Sequence, residues 1–158
     1  MDEIATLRPD YRDWLERVRA TYEAVGYTCG HRLHDRELGK QVSVAVVAGL
    51  VSRPGVFRYQ GLPFSGRIAT LAEARLVEAR EGRLPSIPDW YELWAALTHV
   101  PPEVQDAFVL SCVHGQDVSE ISANLGCSQD SARSRCADAL RMMRSIGDLG
   151  DAAADPER

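Results

Sequence analysis

Between Ser128 and Arg144 the chain gathers Ser131, Arg133, Ser134, Arg135, Arg141 and Arg144 together with Asp130 and Asp138. Hydroxyl and guanidinium groups contact phosphate oxygens and base edges. An aspartate can accept from a cytosine amino group, and it repels phosphate if it faces a nucleic-acid backbone. At about 100° per residue on a helix, Ala132, Cys136, Ala139, Leu140 and Met143 share one face. Asp130, Ser134, Ala137 and Arg141 fall opposite, flanked by Ser131, Arg133 and Arg144. The chemistry available is therefore binding of a polyanion, with four arginines against two aspartates. A merely solvated face carries similar charges, so the neighbouring elements must decide.

Those elements form a helix-turn-helix pattern. Val118, Ile121 and Leu125 face inward from a short helix over 118–124, and Asp117 with Glu120 has the spacing of a capping box. Gly126 suits the left-handed conformation that ends a helix. Ser128 then caps a helix over 129–146. A short helix, a tight turn with glycine and a second capped helix place that second helix in a major groove. Upstream, the pattern predicts helices over 102–113, with Pro102 as first helical residue, and over 90–98, capped by Asp89. The latter should bury Trp90, Leu93, Trp94 and Leu97.

The N-terminal half also reads as helical. Tyr11, Trp14, Leu15, Val18, Tyr22 and Val25 recur at helical intervals, with Asp10 as cap and Gly26 loosening or ending the helix. Residues 38–51 form a second, apolar helix capped by Asp35, with Leu38, Val42, Ala45, Val46 and Gly49 on one face. Arg53-Pro54-Gly55 ends it. An aromatic, loop-like stretch over 56–66 precedes a third helix over 66–80, with Ile68, Leu71, Ala72, Leu76 and Ala79 inward. Pro85 and Pro88 make 81–88 the best linker. The acidic tail from Asp148 reads as disordered.

Other chemistries are poorly represented. The four cysteines, Cys29, Cys112, Cys127 and Cys136, lack the close Cys-x₂₋₄-Cys spacing of zinc sites. Cys29-Gly30-His31 and Cys112-Val113-His114 are far apart in sequence, so no metal and no cofactor is expected. Phosphate-binding glycine loops, nucleophile elbows and zinc-protease motifs are missing, which argues against an enzyme. No apolar run reaches the ~18–20 residues of a membrane span, and the first residues lack signal-peptide order, so the cytoplasm is the expected location.

The 158 residues carry a net charge of −5, which argues against a nucleic-acid partner. Its distribution weakens that objection. Residues 1–88 sum to +2 and residues 89–158 to −7, yet 128–144 is positive. Modest, easily screened binding to DNA is the expectation. The excess of arginine, 17 against one lysine, is most simply coding bias.

The run Leu97-Thr98-His99-Val100-Pro101-Pro102-Glu103-Val104-Gln105-Asp106-Ala107-Phe108-Val109-Leu110, followed by Gly115, Val118-Ser119-Glu120-Ile121-Ser122, Leu125-Gly126-Cys127-Ser128 and Ser131-Ala132-Arg133-Ser134-Arg135, resembles region 4 of sigma-70 family factors, in particular the extracytoplasmic-function group. The resemblance covers residues 89–146. It implies a four-helix module that reads the −35 promoter element, with Ser128, Gln129, Ser131, Arg133, Ser134 and Arg135 touching DNA and Arg141 adding to the basic face. Two positions depart from the pattern. Asp106 stands where the family often has Arg, and Asp130 where a small residue is usual. The N-terminal half is similar to a degenerate region 2 of the same family, through Tyr27 to Leu33, Asp35-Arg36-Glu37-Leu38, the apolar helix, Phe57-Arg58 and Pro63-Phe64 to Leu76. In the family, acidic and amide groups on the helix at 41–51 engage the polymerase; here that helix has no acid. Only Phe57, Tyr59 and Phe64, with Arg53, Arg58 and Arg67, could hold single-stranded bases.

The resulting expectation is an all-α protein of two small helical modules. Residues 1–80 form a region 2-like module, 81–88 a linker, 89–147 a region 4-like helix-turn-helix domain and 148–158 the tail. The expected function is transcription regulation, with duplex promoter DNA bound by the C-terminal module. The N-terminal module would bind RNA polymerase core, an anti-sigma-like protein or a second copy of the chain. The alternative is a sigma mimic acting only through proteins, favoured by the apolar 42–51 segment and the acidic C-terminal half.

Overall fold

A computed structural model describes residues 7–54, 66–85 and 89–148. Among these residues there are seven α-helices and no strand. Helices α1 (Pro9–Leu33), α2 (Arg36–Val51) and α3 (Gly66–Arg80) form the N-terminal half. Helices α4 (Trp90–Thr98), α5 (Pro102–Phe108), α6 (Val118–Leu125) and α7 (Gln129–Gly147) form the C-terminal half. The aromatic stretch with Phe57, Arg58, Tyr59 and Phe64, the end of the linker and the tail from Leu149 lie outside the described residues.

Helix α1 differs from its sequence pattern at both ends. Arg8 occupies the N-cap without a side-chain bond, Pro9 is the first helical residue, and Asp10 sits inside the first turn. Proline at that position is already set for helical φ and lacks an N–H that would go unpaired anyway. Gly26 does not end the helix, which runs to Leu33 and closes at His34 in the left-handed region, φ 55°. Tertiary packing explains why the glycines are tolerated. A Cβ on Gly39 of α2 would lie 2.4 Å from the Gly30 amide nitrogen and 2.5 Å from its Cα. The glycines let two backbones touch, and that contact offsets the roughly 1 kcal/mol helix penalty of each.

Helix α2 starts where expected, with the Asp35 carboxylate accepting from the Leu38 amide at 3.0 Å. Its burial is broader than one face. Gly39, Val42, Ser43, Val44, Ala45, Val46, Val47, Leu50 and Val51 are all buried, while Leu38, Ala48 and Gly49 are half-buried. A helix apolar on every side needs neighbours on every side. Here α1, α3, α4 and α7 supply them. The one polar side chain in this run, Ser43, donates to the Tyr22 carbonyl at 2.6 Å. The 42–51 segment is therefore interior, and it offers no free apolar surface to a partner.

Helix α3 packs its expected face, with Ile68, Ala72, Leu76 and Ala79 buried and Leu71 half-buried. Helix α4 has the capping box, Asp89 with Glu92. Only its Leu93 and Leu97 are fully buried. Trp90 and Trp94 stay half-buried, since each lays one ring face on α1. Trp90 stacks on Tyr22 at 4.1 Å between ring centres, and the Arg19 guanidinium lies 5.3 Å from the Trp94 ring centre.

The helices on either side of residues 81–88 share one apolar core. Trp14 of α1 meets Phe108 of α5 edge to face at 4.6 Å, and Tyr11 donates to the Leu97 carbonyl at 2.7 Å. Burial pushes the Tyr11 phenol far above its ordinary range. Arg8 ties the start of α1 to α5 through two contacts: its amide donates to Gln105 Oε1 at 2.8 Å, and its guanidinium pairs with Asp106 at 3.1 Å. Gln105 is fully buried and donates from Nε2 to the Val100 carbonyl at 2.8 Å. The helix predicted over 102–113 is α-helical only to Phe108. It continues as one π turn, Val109–Val113, closed by the His114 amide donating to the Val109 carbonyl at 2.8 Å. The wider turn brings His114 Nε2 to 3.0 Å from Asp10 Oδ2.

Candidate nucleic-acid interface

Helix α6 opens with the reciprocal cap read from Asp117 and Glu120. The Asp117 carboxylate accepts from the Glu120 amide at 2.8 Å, and the Asp117 amide donates to Glu120 Oε1 at 3.0 Å. Ile121 is buried, and Val118 and Leu125 are half-buried. Gly126 closes the helix at φ 69°, where a side chain would be strained. The Ser122 hydroxyl donates to the Cys127 carbonyl and braces the turn. Ser128 Oγ then accepts from the Ser131 amide at 3.0 Å, opening α7. Each of these signals was legible in sequence, because each is a local contact between residues three to five apart.

The apolar face of α7 is placed as expected. Ala132, Ala139 and Met143 are buried, and Cys136 and Leu140 are half-buried. Burial pushes the Cys136 thiol up, partly offset by a hydrogen bond from Ser111. This makes Cys136 a packing residue of low reactivity. Among the described residues, no three His, Cys, Asp or Glu side chains are grouped as for a metal.

The expected DNA-facing residues divide into three groups. Ser128, Gln129, Ser134 and Arg135 are exposed along the first two turns of α7. Ser131 is half-buried beside them, and its amide is used by the cap. Arg133 is exposed but engaged, with its Nη1 2.9 Å from Asp130 Oδ1. Arg141 lies two turns beyond Ser134 on the same face and pairs with Asp138. Two of the four arginines are thus paired within their own helix, whereas Arg135 and Arg144 have no ion-pair partner among the described residues. The carboxylate partners were missed as functional elements, although the Asp-x-x-Arg spacing at both positions signals an i,i+3 pair.

The other departure, Asp106, faces away from this surface and anchors Arg8 of α1. It contributes to holding the two halves together. Residues 91–143 match the model of the family described as Sigma-70, region 4. This segment is a sigma-70 region 4 domain. The match covers α4 to α7 almost entirely, including the helix-turn-helix, and accounts for about a third of the chain. A region 4 domain identifies the chain as a DNA-binding, RNA polymerase-related regulator in broad terms. No curated protein and no solved structure matches the chain. Among the described residues, no helix is long and apolar enough to cross a membrane.

Proposed function

We propose that the chain is a sigma-factor-like transcription regulator of the extracytoplasmic-function type, acting in the cytoplasm by binding rather than catalysis. The N-terminal half of α7 enters the major groove of promoter duplex, and Ser128, Gln129, Ser131, Arg133, Ser134 and Arg135 meet bases and phosphates. Arg141 reaches the flanking backbone. The observation that carries this reading is the asymmetry of the helix. Its first two turns are capped, exposed and rich in hydroxyl, amide and guanidinium groups, while its last turns are buried against the rest of the molecule.

The N-terminal helices, in this reading a degenerate region 2, serve as a rigid body behind the region 4 domain and contact RNA polymerase core or an anti-sigma-like protein. Their partner surface cannot be residues 42–51, which are interior. It is the start of α2, where Arg36, Glu37, Lys40 and Gln41 are exposed, together with Tyr27, which is 72% exposed.

Gel shifts across a salt series test the DNA step. Binding should fall steeply with salt and weaken in Arg133→Ala and Arg135→Ala, because each lost phosphate contact removes about 0.9 from the log–log slope. Unchanged binding by both variants would exclude α7 as the recognition helix. A second reading, a sigma mimic that acts only through proteins, is favoured by the internal neutralisation of Arg133 and Arg141. Capture of polymerase core, with no retention of any duplex at low salt, would select it.

A further inference from the structure

We propose that Asp130 is a specificity-determining residue that positions Arg133 to read guanine. The proposal rests on the reading of α7 as the recognition helix. Asp130 lies in the first turn of α7, and its side chain is 97% exposed, so no packing contact accounts for its orientation. What it does touch is Arg133, one turn on and on the same exposed surface, at 2.9 Å through Nη1.

That single contact has two consequences. It uses one side of the guanidinium and leaves the Nε–Nη2 edge without another hydrogen bond among the described residues. This edge has the fork geometry that pairs with O6 and N7 of guanine. A guanidinium already held by a carboxylate loses less rotamer freedom on meeting the base, so more of the contact appears as affinity. The carboxylate also works against wrong modes of binding. Placed beside a phosphate it repels, so a pose in which Arg133 merely grips the backbone is disfavoured. Its own charge is favoured at the amino end of a helix, so it stays ionised.

The chain supplies an internal control. Asp138 and Arg141 repeat the same i,i+3 pairing about 12 Å further along α7, eight residues at about 1.5 Å each. Asp138→Asn changes the charge as Asp130→Asn does, but away from the groove-entering end. If charge alone matters, the two variants behave alike. If Asp130 positions Arg133, they differ.

The test uses the full-length chain and a pool of duplexes with a randomised core, sequenced after selection, alongside mixed-sequence duplex for background affinity. Wild type should enrich a site with a strict G·C pair at one position. Asp130→Asn should lose at least ~5-fold of the preference at that position alone, and should bind mixed-sequence duplex more tightly, with a steeper salt dependence. Asp138→Asn should raise background affinity and leave the selected sequence intact. Arg133→Lys should lose the same G·C preference while keeping phosphate affinity. Equal sequence preferences in wild type and Asp130→Asn would overturn the proposal and leave the recognition helix standing. Wild type that binds duplex without sequence preference would also overturn it. Failure of wild type to retain any duplex at low salt would overturn both. Asp130, Arg133 and Asp138 are all exposed, and matching melting curves exclude misfolding as the cause.

Discussion

From Ser128 to Arg135, α7 and its cap leave six side chains in solvent and bury only Ala132 fully. From Ala139 to Gly147, the same helix buries Ala139, Met143 and Ile146, and its last glycine meets the backbone of α2. One end is built for a partner that is absent, and the other for neighbours that are always present. The contrast shows how a region 4 domain and the helices before it can work as one body. The docked end fixes the direction of the helix, and the free end inherits that direction without needing packing of its own. A rigid element is what a groove-reading side chain requires, since small angular errors at the base of a helix are magnified at its tip.

The comparison breaks most completely at the docked end. Met143→Ala should destabilise the protein by about 2–5 kcal/mol, because a fully buried side chain leaves a cavity between helices. Urea unfolding followed by circular dichroism measures this, and DNA affinity at 25 °C should fall with the folded fraction. Gly147→Ala comes next. Its new Cβ would lie 2.5 Å from the Ala48 carbonyl oxygen and 2.7 Å from the Ser52 amide nitrogen, both backbone atoms at the end of α2. An overpacking cost of about 1–3 kcal/mol is expected in the same unfolding assay. If Gly147→Ala melts like wild type, the end of α7 is not held on α2 in solution.

The free end should respond in the opposite sense. Ser128→Ala removes the cap of α7 and should cost about 1 kcal/mol of stability, with a small loss of DNA affinity from fraying of the first turn. Arg135→Ala should change stability by less than about 0.5 kcal/mol and reduce the magnitude of the salt slope of duplex binding by about 0.9. A stability loss above about 1 kcal/mol in Arg135→Ala would show that this end, too, is packed.

Much of the C-terminal half was legible in sequence because its signals are local. Asp89 with Glu92, Asp117 with Glu120, Gly126 and Ser128 each act over one helical turn, so composition and spacing reveal them directly. The N-terminal half was harder. Gly26 looks like a breaker when α1 is considered alone, yet it lies in ordinary contact with Ser43 of α2, and Gly30 meets Gly39 backbone to backbone. The apolar run at 42–51 looks like a surface awaiting a partner until its partners within the chain are counted. Trp90 and Trp94 look like core residues because of their size, but each uses one face on α1 and leaves the other exposed.

Sequence alone determined the helical class, the helix-turn-helix and the identity of its exposed groups, because helical periodicity and caps are properties of neighbouring residues. Tertiary structure decided which surfaces remain available. It closed α2 on all sides, used Asp106 to anchor α1, and joined the helices before and after 81–88 through Tyr11, Trp14 and Phe108. It also showed Asp130 holding Arg133. Distant burial and side-chain pairing depend on where helices cross, and crossing angles are set by the whole core rather than by any one segment.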